Sequence, residues 1–265
     1  MSHNSTPQPA RTSTLPPGHD PMGAAILDYQ RTGRSGCLSV LSSMFDDDEM
    51  PVPHLFRSLG DMPALERKAL DLARGRVLDV GAGAGCHALA LQERGLAVKA
   101  IDISPLGCEA MRMRGVRDVE CRNLFDLHLA STGGTDGEGF DTILLLMNGI
   151  GLAGKASGLA PLLEQLKSLL NEGGQILADS SDLSYLYEDE DGVPDIDPDA
   201  PYYGEVDFRM VYQGAGGHRV EGLPFDWLYA DPGLLQSAAR LCALRCDLVA
   251  RGEHYDYLAR ITRQE

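Results

Sequence analysis

The sequence predicts an α/β fold, a doubly wound and mainly parallel sheet with helices on both faces. Three observations carry that expectation. From Arg76 onward, apolar strand-like runs alternate with helix-like runs. The strand runs are β-branched or leucine-rich and apolar nearly throughout, as strands buried on both faces must be. The first of them enters a helix through a run of glycines, RVLDVGAGAGCHALAL at residues 76–91.

The elements follow in order. Residues 1–20, rich in Pro, Ser and Thr, read as a disordered tail with no apolar core of a secretory signal. Residues 21–75 read as an N-terminal helical segment. Its clearest part is MPALERKALDLA at 62–73; residues 22–60, broken by the 46–49 acidic run and by Pro51 and Pro53, are expected as helical pieces over one end of the sheet. Strands are expected over 76–80, 98–102, 118–121, 141–147 and 175–179, and helices over 85–94, 105–114 and 158–170. Pro105 suits a helix first turn, and Gly173-Gly174 suits a helix end. After Asp179 the rhythm breaks. Residues 180–230 form a cap insertion, acidic and Pro-rich at first. Two strands then follow at 205–212 and 224–229, a hairpin about the glycine-rich QGAGGH turn. A helix over 232–243 and strands over 246–250 and 255–262 close the chain. Only RGEH joins the last two strands, too short for a parallel crossover, so they should pair antiparallel.

Composition sets limits on function. With 265 residues, 43% of them hydrophobic, the chain can build one sizeable core, and no apolar run approaches the roughly 20 residues of a membrane span. The net charge of −16 repels phosphate backbones and disfavours DNA or RNA as a substrate. Ten of those negative charges lie between Asp182 and Asp207, where there is no Lys or Arg. Six cysteines without a CxxC pair are expected as reduced, packed thiols of a cytoplasmic protein.

The glycine loop carries the chemistry. Gly81, Ala82, Gly83, Ala84 and Gly85 fit GxGxG; Cys86 fills the sixth position, so the dinucleotide fingerprint GxGxxG is incomplete. Glycines allow a tight turn and a close ligand but do not choose the ligand. Asp79, two residues ahead, does. A pyrophosphate beside an unpaired carboxylate is repelled by of order 1 kcal/mol, whereas an ammonium is attracted. Asp102 ends the second strand, 17 residues after Gly85, and suits a ribose diol. The expected ligand has a ribose and a cationic amino-acid part and no phosphate at the loop. S-adenosylmethionine has those parts.

VLDVGAGAG followed by AIDIS, FDTILLLMNGIG and LLNEGGQIL resembles the class I S-adenosylmethionine-dependent methyltransferases over residues 76–179. The resemblance implies a Rossmann-like sheet of seven strands whose last is antiparallel. It implies donor contacts from Gly81, Gly83, Gly85 and Asp102, with Ile103 beside the adenine and Asn123 or Leu124 meeting the adenine amino group. Met147 and Asn148, at the end of strand four, would face the methyl group. The Asn/Asp-Pro-Pro-aromatic motif of many amino-methylating enzymes is replaced here by Asn148-Gly149-Ile150-Gly151. That departure argues against nucleobase or glutamine N-methylation.

The acceptor side is read from strand ends, where open α/β sheets bind ligands. Asn148 and Asp179 are the expected catalytic residues, Asp179 as a general base or acceptor-binding group against a plain turn cap. Tyr185, Tyr187, Tyr202, Tyr203 and Trp227 read as an aromatic lid or as packing for the insertion. Cys86, His87 and the HYDY run at 254–257 read as structural. Asp195, Asp197 and Asp199 fail the calcium-loop pattern at Ala200 and Val206, so no metal site is expected. The function expected is methyl transfer from S-adenosylmethionine to a small-molecule acceptor. A non-catalytic nucleoside-binding module and an NAD-dependent oxidoreductase are the alternatives.

Overall fold

A computed structural model describes residues 14–16, 18–129, 139–188, 195–197 and 199–264. Helix α1 (Pro21–Thr32) leads to strands β1 (Cys37–Leu41) and β2 (Asp48–Glu49), then to helix α2 (Ala64–Leu72). The alternating part runs β3 (Arg76–Val80), α3 (Cys86–Glu93), β4 (Ala97–Asp102), α4 (Pro105–Arg114), β5 (Asp118–Cys121), β6 (Phe140–Leu145), α5 (Leu159–Leu169) and β7 (Leu170–Ser181). The insertion supplies β8 (Glu205–Gln213), β9 (Arg219–Glu221) and β10 (Phe225–Leu228). Helix α6 (Pro232–Leu241) and strands β11 (Leu244–Arg251) and β12 (Asp256–Arg263) complete the chain.

Seven strands form the main sheet in the order β11-β12-β7-β6-β3-β4-β5. β3 to β7 are parallel, and β12 runs antiparallel to both β7 and β11. This is the doubly wound, Rossmann-like arrangement expected, with its antiparallel last strand. The caps are local. Ser104 accepts from Gly107 N at 2.7 Å and Pro105 opens α4, while Asp231 accepts from the N–H of Gly233 and Leu234 before Pro232 opens α6.

Side chains alternate across the sheet with a period of two. Leu78, Val80, Ile101, Ile143, Leu145, Ile176 and Ala178 pack toward α5 and α6. Val77, Ala100, Leu144 and Leu177 pack toward α2, α3 and α4. The period therefore puts Asp79, Asp102 and Asp179 on this second face, at the carboxyl edge.

Two expectations need correction, and a third lies mostly outside the described residues. The segment 22–60 is not helical throughout: Cys37–Leu41 is a strand, paired antiparallel with β8 from Cys37↔Gln213 to Leu41↔Arg209. The N-terminal segment and the insertion thus share one small sheet, β10-β8-β1-β2, with β9 also on β8. Gly173-Gly174 does not end a helix. α5 stops at Leu169, and the glycines lie in a register shift early in β7, between Leu170 and Gln175. The expected disordered tail falls mostly on residues 1–13, outside the described residues. At its end Leu15 N bonds Ile103 O at 2.8 Å, and Asp20 is buried.

Candidate functional site

Four strand ends and two coverings build the site. The loop after β3 turns through Gly81, Gly83 and Gly85, with φ of 67°, 56° and 79°. Each value lies in the left-handed region, which glycine enters without strain. The roles differ. A Cβ on Gly85 would meet Val116 at 2.9 Å and Met111 at 3.0 Å, so this glycine is required by packing. A Cβ on Gly81 or Gly83 would meet nothing within 4 Å. Those two glycines border open space, as a cradle for a ligand requires. Gly81 N and Ala82 N bond Ile101 O and pin the loop to β4.

Asp79 is 2% exposed, and its Oδ2 has no hydrogen-bond partner among the described residues. Burial pushes its pKa up to about 6, against the charge of His87 and an N–H bond from Ala88; the nearby Asp102 adds to the rise. A buried, half-partnered carboxylate is costly. Such an unpaired carboxylate oxygen is the kind of group that a nearby cation stabilises. Asp102 accepts from Gly83 N and Ser104 N, both at 2.8 Å, one on each oxygen. Each oxygen keeps a lone pair for a ribose hydroxyl. Burial pushes its pKa up as well. Ile103 next to it is exposed and forms an apolar shelf. Asn123 accepts from Phe125 N at 3.0 Å and caps the single turn Leu124–Asp126. Leu124 is buried in the core, so only its main chain can meet an adenine.

On the acceptor side, Met147 and Asn148 are both left-handed, with φ of 63° and 56°. Two consecutive non-glycine residues in that region hold strain. Asp179 holds them: Oδ2 accepts from Met147 N at 3.2 Å and Oδ1 from Gly149 N at 3.4 Å. Burial pushes the pKa of Asp179 up to about 6 against the backbone N–H groups of Gly149 and Asn148. Ser181 donates to Asn148 Oδ1 at 3.0 Å and so fixes the orientation of that amide.

Two roofs cover this edge. α1 packs on α4, and Ile26 and Leu27 touch Ala84, Ala110 and, at the edge, Met147. Asp20 ties α1 to α4. Its Oδ1 accepts from Gly23 N, and its Oδ2 accepts from Ser104 Oγ at 2.6 Å and Leu106 N at 3.3 Å. The cap sheet sits over the turn after β6, where Trp227 lies against Gly151. Of the tyrosines, Tyr202 bonds Asp231, Tyr203 donates to Asp182, and exposed Tyr185 stacks on Tyr255 with ring centres 4.6 Å apart.

Sequence reasoning missed the cluster beneath the loop. Arg57, Glu66 and His87 are 7%, 5% and 5% exposed. Glu66 Oε2 accepts from Arg57 Nη2 at 2.6 Å and Nε at 2.9 Å, and lies 2.9 Å from His87 Nε2. These residues come from separate segments, and only the position of His87 beside the glycine loop gave a signal. A depression of about 260 Å³ lined by Arg76, Leu96 and Lys99 lies at the amino ends of the strands, the wrong edge for a ligand of such a sheet.

Fold and site together define a nucleoside-binding α/β protein whose ligand carries an ammonium group and no phosphate at the loop. No family model and no curated protein matches the sequence. Solved structures do. A SAM-dependent methyltransferase from Bacteroides fragilis, in complex with S-adenosyl-L-homocysteine, is 50% identical over 96% of this chain and 98% of its own, with a TM-score of 0.84. The CcbJ methyltransferase from Streptomyces caelestis is 15% identical over 94% and 99%, with a TM-score of 0.62. The sugar N-methyltransferase KedS8 from Streptoalloteichus sp ATCC 53650 is 18% identical over 85% and 97%, with a TM-score of 0.53. The last two share the fold. At half identity over nearly both full lengths, the first shows more: this chain belongs to the S-adenosylmethionine-dependent methyltransferases. Its cofactor is S-adenosylmethionine, and the oxidoreductase and non-catalytic readings fall away.

Proposed function

We propose that this enzyme methylates a small-molecule acceptor bound between the ends of β6 and β7 and the cap. The observation that carries the reading is the double roof. α1 and the cap sheet cover the carboxyl edge from two sides, which suits a compact acceptor better than a polymer, and the net charge of −16 opposes nucleic acid. Residues 76–265 form the donor-binding domain in this reading. Residues 21–75 and the insertion at about 180–230 form its roofs.

The donor supplies an already activated methyl group on a sulfonium. The chain's task is then alignment, exclusion of water and, where the acceptor carries one, removal of a proton. Asp79 receives the ammonium, and Gly81, Ala82 and Gly83 let the amino-acid part approach the backbone. Asp102 accepts from the ribose, Ile103 and the backbone of Leu124 flank the adenine, and Asn123 shapes that turn. Asn148 aims its amide at the reacting groups. Asp179 keeps Met147 and Asn148 in their strained turn; with both oxygens engaged it acts as a positioning residue rather than a free base. Six free cysteines fit a reducing, cytoplasmic setting, and no helix among the described residues is long and apolar enough to cross a membrane.

Incubation with methyl-labelled donor and a cell extract tests the acceptor class. Label should appear in the small-molecule fraction; label confined to protein or nucleic acid would overturn the reading. Calorimetry with S-adenosylhomocysteine tests the donor residues. Asp102→Ala and Gly83→Val should each weaken binding at least about 10-fold, the worth of one lost charge-assisted hydrogen bond or of a side chain forced into the cradle.

A further inference from the structure

We propose that the buried Arg57–Glu66–His87 cluster is the charge support of the donor site, with His87 a positioning residue that keeps the Asp79 carboxylate ionised to receive the donor's ammonium. The inference rests on the reading of Asp79 given above.

The placement follows from the sheet's period of two. Asp79, Asp102 and Asp179 all point to the face covered by α2 and α3. The Asp102 charge repels that of Asp79, and burial favours the neutral form of all three. A neutral Asp79 would lose its attraction for an ammonium. The same face carries the remedy. α2 brings Glu66 and α3 brings His87, whose neighbour Ala88 donates its N–H to Asp79. Burial alone would strip the His87 proton, but hydrogen bonds to Cys86 and Glu66 outweigh it and hold the ring as a cation. Arg57 closes the cluster. It donates twice to Glu66, once to His54 O at 2.7 Å, and its Nη2 lies 3.3 Å from His87 Nε2. Glu66 therefore faces two cations, and the surplus positive charge faces the strand-end carboxylates.

The groups around each member are few. His87 and Ala88 N–H of α3 and Asp102 of β4 face Asp79. Glu66 of α2, Cys86 of its own helix, Asp79 of β3 and Arg57 face His87. His54 lies beyond, pushed down by burial and by Arg57. Asp179 feels Glu66 and His87 with opposite signs.

Ionising Asp79 alone would make donor binding fall as pH drops through its pKa of about 6. Taking away the His87 cation leaves the burial penalty and the Asp102 charge opposed only by the Ala88 N–H. The Asp79 pKa then climbs further, by about one unit or more. Donor affinity near neutrality falls with it and recovers as pH rises.

The test is calorimetric binding of S-adenosylhomocysteine from pH 5.0 to 7.5, below about 8, where the ligand's own α-amino group begins to lose its proton. In the unmodified enzyme, Kd should weaken toward acid with a midpoint near 6. His87→Gln should move that midpoint upward by about one pH unit, with the limiting affinity largely regained at pH 7.5. Asp79→Asn should flatten the profile, and His87→Gln should add nothing to it in the double variant. A uniform loss of affinity at every pH, or an unmoved midpoint, would overturn the inference and leave His87 as packing. A profile unchanged by Asp79→Asn would instead overturn the role of Asp79 itself. Far-UV circular dichroism at each pH confirms that folded protein is being titrated. If His87→Gln does not fold, His87→Asn decides, since it too removes the imidazolium and leaves the Arg57–Glu66 pair in place.

Discussion

Single carboxylates at this site are kept at a cost to stability. Asp79 has one oxygen with no hydrogen-bond partner among the described residues, and its folded pKa of about 6 lies above the ordinary 3.8. The sign follows from linkage. Between pH 3.8 and 6 the folded state binds more protons than the unfolded one, so this group's contribution to stability falls as pH rises and stays unfavourable at neutrality. The shift corresponds to at most about 3 kcal/mol. Asp79→Asn should therefore raise the melting temperature of the ligand-free enzyme at pH 7.5 by several degrees, at about 2–4 °C per kcal/mol for a chain of this size. The same variant should lose S-adenosylhomocysteine binding. The gain in melting temperature should shrink toward pH 4.5, where the native carboxyl is already protonated. Thermal scans of both proteins at the two pH values check it; equal melting temperatures at pH 7.5 would show that the buried oxygen is satisfied in solution. Asp179 differs because its oxygens are occupied. Asp179→Ala should release the strained Met147-Asn148 turn and lower kcat by about 100-fold, the scale of an ångström of misplacement. The donor Kd should change little. A variant that loses donor binding in proportion would place Asp179 on the donor instead.

Individual elements show what a sequence does and does not announce. β3 to β7 and their helices were legible because each carries its signal locally: a continuous apolar run, a proline or serine cap, a glycine turn. The donor loop was legible for the same reason, since Asp79, the three glycines and Asp102 lie within 24 consecutive residues. β1 was not. CLSVL is five residues long, and its partner β8 lies about 170 positions away, so nothing near it marks a strand. The Arg57–Glu66–His87 cluster was hidden likewise, each member looking like an ordinary helical polar residue until the fold joins three segments. α1 makes its own prediction. Asp20 caps it and bonds Ser104 and Leu106 at the start of α4, so one buried side chain fixes a roof to the donor-binding domain. Asp20→Ala should cost about 1–2 kcal/mol, the worth of a lost N-cap. It should also speed proteolysis of the segment before α2, with bound S-adenosylhomocysteine restoring protection by mass action. Unchanged cleavage rates would mean that the apolar contacts of Ile26 and Leu27 hold α1 without it.

At the scale of the whole molecule, the enzyme joins a rigid donor-binding sheet to a cap assembled from two distant parts of the chain. The junction lies at Gly151. Trp227 of β10 occupies the place where a Cβ would stand, its indole atoms 2.0 Å from that position. Close approach therefore requires glycine, and Gly151→Ala must push the cap hairpin off the turn that carries Asn148. Nearby contacts are weaker: Lys155 sits 3.6 Å from Asp226 across a half-exposed pair worth less than about 1 kcal/mol, and Glu205 accepts from Ala156 N at 2.9 Å. These contacts all fall on the turn after β6 and not on the donor loop after β3. Gly151→Ala should accordingly leave the Kd for S-adenosylhomocysteine within about 2-fold, because sites without shared partners act independently. It should lower turnover by about 10-fold or more by disordering the acceptor side. Trp227 is the chain's single tryptophan, so its fluorescence reports on the cap alone. Its emission should move to longer wavelength in Gly151→Ala as the indole meets water, while the donor affinity stays put. An unshifted emission with lost donor binding would mean that cap and donor site form one cooperative unit rather than two joined at Gly151.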